Sequence, residues 1–166
     1  MSGAGNGDDT SANTGQMLPR VQVVGQYVKD LSFENPGAPG TVTARAPQID
    51  LSVDLQARQL EGEHYEVELR LRVSATAESK PIFLLELVYA GLFQLQNITE
   101  EMRQPVLLIE APHLLFPFAR RIVADAIRDG GMPPLMIEPI DFAALYRAKA
   151  GQMQQMRAGA AGPTSA

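Results

Sequence analysis

The hydrophobic pattern changes period once along the chain. Before residue 97 apolar and polar positions alternate, the two-residue repeat of half-buried strands. From residue 115 apolar positions recur at three and four, the repeat of a helix with one apolar face. The cleanest alternation is Tyr65, Val67, Leu69, Leu71 and Val73 set between Glu66, Glu68, Arg70 and Arg72. It predicts a strand with one core face and one wet face, the habit of antiparallel sheets. Ile49, Leu51, Val53 and Leu55 alternate with Asp50, Ser52, Asp54 and Gln56 and predict another. The segment from Arg20 to Glu34 is rich in β-formers, with a bulge or bend at Gly25. After a turn at Ser79-Lys80-Pro81, residues 82–96 form a fourth strand that is apolar on both faces. One helix layer covers one face. The other face predicts a subunit interface or an apolar binding surface.

The helical stripe is Leu115, Phe118, Ala119, Ile122, Val123, Ala126 and Ile127, with Arg121, Asp125, Arg128 and Asp129 opposite. Gly130-Gly131 stop the helix and Pro133-Pro134 prevent its resumption. Such a helix should lie across the sheet or pack on its copy in a second subunit. Upstream, Thr99 is placed to cap, and Glu100 and Glu101 suit the positive end of a helix dipole. Pro105, Pro112 and Pro117 interrupt this stretch. They predict a short first helix, a break near Pro112 and a long helix from about Leu114. Residues 133–139 read as extended, and Asp141 caps a last helix carrying Phe142, Leu145, Tyr146 and Met153.

Asn35-Pro-Gly-Ala-Pro-Gly40 is a loop, and residues 42–47 are a loose connection. Residues 1–19 and 158–166 are rich in small and polar residues and predict flexible tails around one domain, 20–157. A chain of 166 residues suffices for one domain with a core.

Composition narrows the function. There is no cysteine, which removes disulfides, thiolate catalysis and cysteine-ligated metal, and suits a reducing compartment. The net charge of -5 argues against nucleic acid and is compatible with a basic partner. No apolar run approaches the ~18 residues of a membrane span, and the N-terminus lacks a signal-peptide pattern. The reading is a cytoplasmic protein. His64 and His113 stand alone, without a second histidine at helical ligand spacing, so no metal site and no catalytic residue is assigned. No glycine-rich phosphate loop or nucleophile elbow occurs. An enzyme is not expected. Two features exceed a plain core: the surplus apolar strand surface, and the acids Asp30, Glu34 and Glu86 set among it. The acids read either as ordinary solvent-facing positions or as a docking patch for a basic partner.

Four segments carry a resemblance. Tyr27-Val-Lys-Asp-Leu-Ser-Phe-Glu-Asn-Pro-Gly-Ala-Pro39 resembles the first-strand signature of the SecB family of bacterial protein-export chaperones. Phe83-Leu-Leu-Glu-Leu-Val-Tyr-Ala-Gly-Leu-Phe93 resembles its fourth strand. Pro112-His-Leu-Leu-Phe-Pro-Phe-Ala-Arg120 resembles the start of its long helix, and Pro139-Ile-Asp-Phe-Ala-Ala-Leu-Tyr146 the start of its last. The motifs stand in the family's order over about residues 20–150.

The resemblance implies an α+β fold: a four-stranded antiparallel sheet with one long helix and shorter helices on one side, assembling as a dimer of dimers. It implies an ATP-independent holdase, without cofactor, that binds unfolded precursor proteins and delivers them to the translocase motor SecA. Carried over by position, SecA docking falls to Asp30, Glu34, Leu84 and Glu86. The client groove falls to Ile49, Leu51, Val53, Phe142, Leu145 and Tyr146. Family members often carry a Trp before the Pro that opens the second strand; here Arg45-Ala46-Pro47 stands in that place. The rival readings are a SecB-like general or toxin–antitoxin holdase, and a small enzyme using His64 or His113.

Overall fold

The computed structural model describes residues 17–40 and 47–160. The expected N-terminal tail through residue 16, the connection at 41–46 with Arg45 and Ala46, and the last six residues lie outside the described residues. The elements run β1 (Arg20–Glu34), β2 (Gln48–Gln59), β3 (His64–Ala77), β4 (Lys80–Gln96), α1 (Glu100–Pro105), α2 (Ala111–Asp129) and α3 (Phe142–Ala160). The strands form one antiparallel sheet in the order β1-β4-β3-β2. The fold is therefore α+β, as expected. β1 and β2, joined in sequence, end up at opposite edges of the sheet.

The register sorts the faces. Tyr65, Val67, Leu69, Leu71 and Val73 of β3 lie opposite Phe93, Gly91, Tyr89, Leu87 and Leu85 of β4, and every one of these is buried. This inner face carries the core, and α2 lies across it. At Gly91 the approach is so close that a Cβ would stand 2.6 Å from the Phe93 ring and 2.8 Å from Leu115. Any side chain there would push on both neighbours.

Three local features depart from the sequence reading. The β3–β4 turn is Glu78-Ser79, both with positive φ (50° and 62°), so β4 already begins at Lys80. Two positive φ values in a two-residue loop match the right-handed twist of the hairpin. In β1 the bulge near Gly25 is present, and a second register shift falls between Val28 and Asp30.

The third departure concerns the prolines. There is no break near Pro112: the chain is helical from Glu100 to Asp129, with a π-helical turn at Val106–Glu110. A proline ring collides with the carbonyl four residues before it in an α-helix. For Pro112 that residue is Leu108, inside the widened turn, where the Ala111 N–H donates to the carbonyl of Val106, five residues back. The π turn takes up the misfit and the helix axis continues. The helix stops as expected at Gly130-Gly131, where Gly131 has φ 87°.

The α2 stripe is also rotated from the expected one. Leu115, Ala119, Val123 and Ile127 are buried together with Phe116 and Ala124. Phe118 is 46% exposed and Leu114 45% exposed, and Ile122 and Ala126 are half-buried. The sheet covers a narrower sector than the stripe. Asp141 caps α3 as expected: its carboxylate accepts from the Ala144 N–H at 2.9 Å. The helix runs to Ala160, past the residue 158 at which the flexible tail was placed.

Candidate functional site

Two surfaces gather the candidate residues, one on each side of the sheet. On the outer face β1 and β4 align Glu34 with Leu84, Ser32 with Glu86 and Asp30 with Val88. All four expected docking residues, Asp30, Glu34, Leu84 and Glu86, therefore share one face. Asp30 and Glu34 are exposed, while Leu84 and Glu86 are half-buried. Glu86 both meets water and pairs with a base: its side chain is 43% exposed and accepts from Arg72, its neighbour on β3, at 2.9 Å. Among the described residues, no base lies within ion-pair distance of Asp30 or Glu34.

The rest of that face is drier than its alternation implied. Glu66 and Glu68, assigned to a wet face, are only 4% and 8% exposed. Tyr27 and Lys29 of β1 reach them across β4, passing the small, fully buried Ala90. Glu66 accepts from the Tyr27 hydroxyl, from Lys29 at 3.0 Å and from Arg58 at 2.8 Å. Glu68 accepts from Lys29 and from the Arg70 guanidinium. Burial by itself would raise the Glu66 carboxyl, but the hydrogen bonds from Tyr27, Arg58 and Lys29 outweigh it and hold it at about 2, against an ordinary 4.5. The Lys29 hydrogen bond likewise holds Glu68 below the usual range, against desolvation. The sequence reading missed this cluster because the cover comes from β1, which is distant in sequence.

The second surface lies on the helix side, at the open edge of β2. A groove of about 210 Å³ is lined by Val53 and Leu55 of β2, Leu108 of the π turn, and Leu145, Tyr146 and Lys149 of α3. Three expected groove residues, Val53, Leu145 and Tyr146, thus come together. Ile49 and Leu51 lie farther along the same strand face, half-buried and exposed respectively. Phe142 does not line the groove. It is fully buried, with its ring edge-on to His113 at 5.0 Å and to Phe116 at 6.1 Å, and it anchors the start of α3. A bulky residue at the first turn of a helix is drawn into the core when the preceding segment already runs beside it.

Lys149 was not among the candidates. It bridges the groove, donating to the Asp54 carboxylate at 2.9 Å and to the Leu55 carbonyl at 3.2 Å. Burial pushes the Asp54 carboxyl up, but the Lys149 hydrogen bond wins and lowers it. The Leu55 carbonyl lies on the edge of β2 that pairs with no other described strand, and Lys149 occupies it.

The two histidines lie far apart in the sequence and have different surroundings. His64 lies at the β2–β3 turn beside the Glu61 carbonyl, and His113 packs on Phe142. Among the described residues no group of three metal-binding side chains occurs, and no helix is long and apolar enough to cross a membrane.

A family model described as preprotein translocase subunit SecB matches residues 14–154. The chain belongs to the SecB family. It is 54% identical over 139 residues to the protein-export protein SecB of Maricaulis maris, covering 82% of this chain and 81% of that one. With the protein-export protein SecB of Rhizorhabdus wittichii it shares 52% over 145 residues, 87% of each. A SecB-like chaperone from Mycobacterium tuberculosis, solved with a peptide of an antitoxin, superimposes with a TM-score of 0.62 at 16% identity. That likeness covers 73% of this chain and 91% of the other, and it shows the shared SecB-like fold.

Proposed function

We propose that this chain is an ATP-independent chaperone of protein export. It binds unfolded precursor proteins in apolar grooves, keeps them competent for translocation and passes them to the SecA motor. The observation that carries this reading is the convergence of Asp30, Glu34, Leu84 and Glu86 on one solvent-facing patch, in a chain of the SecB family. Open carboxylates around a half-buried leucine suit a basic segment with an apolar residue, and charge complementarity fixes its register.

The groove formed by β2, the π turn and α3 is the client site. It lies on the opposite side of the sheet from the acids, so client and motor occupy different surfaces. Its apolar walls, beside an open strand edge, suit extended segments of varied sequence. Each contact is weak, and a long client gains avidity by touching several subunits. Those subunits are copies of this chain in a dimer of dimers. The exposed apolar residues of β1, Val24, Val28 and Leu31, and those of α2, Leu114 and Phe118, support two further covered surfaces. The chemistry requires no nucleotide or metal, and the working place is the cytoplasm.

Titration of SecA against the wild type and against Asp30→Lys/Glu34→Lys/Glu86→Lys tests the reading. The triple variant is expected to lose binding by about a hundredfold or more while still suppressing aggregation of an unfolded client. Unchanged SecA affinity overturns the docking assignment and leaves a general holdase. Sedimentation should give four copies of the 18.0 kDa chain; a monomer at micromolar concentration overturns the assembly.

A further inference from the structure

The outer face of the sheet carries an imbalance that the docking reading does not explain. Beside the acids stand four bases, Lys29, Arg58, Arg70 and Arg72, and a basic partner would be repelled by them. Two share the surroundings of Asp30, one beside it on β1 and one two strands away on β3. Lys29 precedes it at the β1 register shift, and Arg70 lies in the same cross-strand row, Asp30 opposite Val88 and Val88 opposite Arg70. Both are turned away from Asp30. Lys29 runs back across β4 to Glu68 and Glu66, and Arg70 bends along its own strand to Glu68. One carboxylate, 8% exposed, therefore gathers both cations near the docking acid.

We infer that Glu68, backed by Glu66, is a positioning residue for the docking face: it withdraws Lys29 and Arg70 so that Asp30 presents an open carboxylate to a basic partner. This rests on the docking reading given above and adds residues that do not touch the partner. The geometry accounts for three otherwise separate facts. The shift between Val28 and Asp30 is what lets Lys29 lie on the outer face beside its sequence neighbour Asp30. Ala90, fully buried between β1 and β3, is small enough for the Lys29 stem to cross. The same hydrogen bonds that hold the cations, from Lys29 and Arg70 to Glu68 and from Lys29 and Arg58 to Glu66, hold both carboxyls below the ordinary value against the effect of burial. Without Glu68 the Lys29 ammonium, next to Asp30 in the chain, is released to offset the charge that Asp30 presents, while Arg70 also has Asp54, its cross-strand neighbour on β2.

The test uses the full chain with SecA as the probe, at low and at high salt. Glu68→Gln is expected to weaken SecA binding by on the order of tenfold at low salt, an effect that shrinks as salt rises. Adding Lys29→Gln should restore most of the loss, which a merely structural role for Glu68 would not do. Lys29→Gln alone changes a partly exposed side chain and should bind SecA at least as tightly as the wild type. It carries the test if Glu68→Gln does not fold. Weaker binding by Lys29→Gln, or a Glu68→Gln loss that Lys29→Gln does not recover, overturns the inference. Asp30→Asn separates the two levels. If it leaves affinity unchanged, the docking reading fails and the inference with it. If it weakens binding while Glu68→Gln does not, only the inference fails.

Discussion

Glu66 supplies a measurable pH signature. Its side chain is 5% exposed and is held by Tyr27, Lys29 and Arg58. The carboxyl sits at about 2 in the folded chain against 4.5 when free. A folded value below the unfolded one contributes stability that is complete above about pH 4.5 and is lost as pH falls toward 2. The difference corresponds to about 3 kcal/mol at neutral pH. Lys29 and Arg58 are 33% and 63% exposed, and solvent screening brings the working value nearer ~2 kcal/mol. Glu66→Gln keeps the shape and an acceptor for Tyr27 but removes the titration. Urea unfolding of both proteins, at one fixed protein concentration because assembly contributes to stability, should show the variant less stable by ~2 kcal/mol at pH 7. The gap should shrink to less than half at pH 3. A gap that stays constant between pH 7 and pH 3 refutes the argument, because the cost would then come from packing and not from charge.

Three further outcomes follow from named contacts. Gly91→Ala drives a Cβ against Phe93 and Leu115 and should cost about 1–3 kcal/mol in chemical unfolding, without changing the sheet's circular dichroism. Phe142→Ala empties the anchor between His113 and Phe116; it should cost about 3–5 kcal/mol and raise amide exchange across α3 first. Lys149→Ala breaks the bridge to Asp54 and Leu55. Because Lys149 and Asp54 are each about half exposed, global stability should fall by less than ~1 kcal/mol, while exchange in α3 should rise selectively. Unchanged α3 exchange would show that Lys149 does not hold the helix over the groove.

The alternation at residues 65–73 is enough to place the β3 core face, since a period of two leaves no other side for five large apolar residues. The Gly130-Gly131 stop and the Asp141 cap were equally legible, because each rests on residues within a few positions of one another. The proline-rich stretch was not. A proline predicts a misfit with the turn before it, but whether the chain breaks, widens or, as at Pro117, stays α-helical depends on what surrounds it. Here Val106 and Leu107 are buried against the core, and keeping them there favours a π turn over a break.

The larger misreadings share one cause. Strand periodicity assigns a side chain to a face; it does not say what crosses that face. Glu66 and Glu68 point outward as their parity requires. They are nonetheless dry, because β1 returns to the sheet next to β4 and sends Tyr27 and Lys29 over them. Phe142 belongs to the last helix as read, yet its burial depends on where α3 meets α2. The sequence by itself determined the strands, the β3 core face, the stop of the long helix, the cap of the last one and the family, since these follow from local spacing and short motifs. Tertiary structure alone decided which charges neutralise one another and which acids remain open. Ion pairing depends on distances of a few ångströms between segments some forty residues apart, and no periodicity along one strand encodes them.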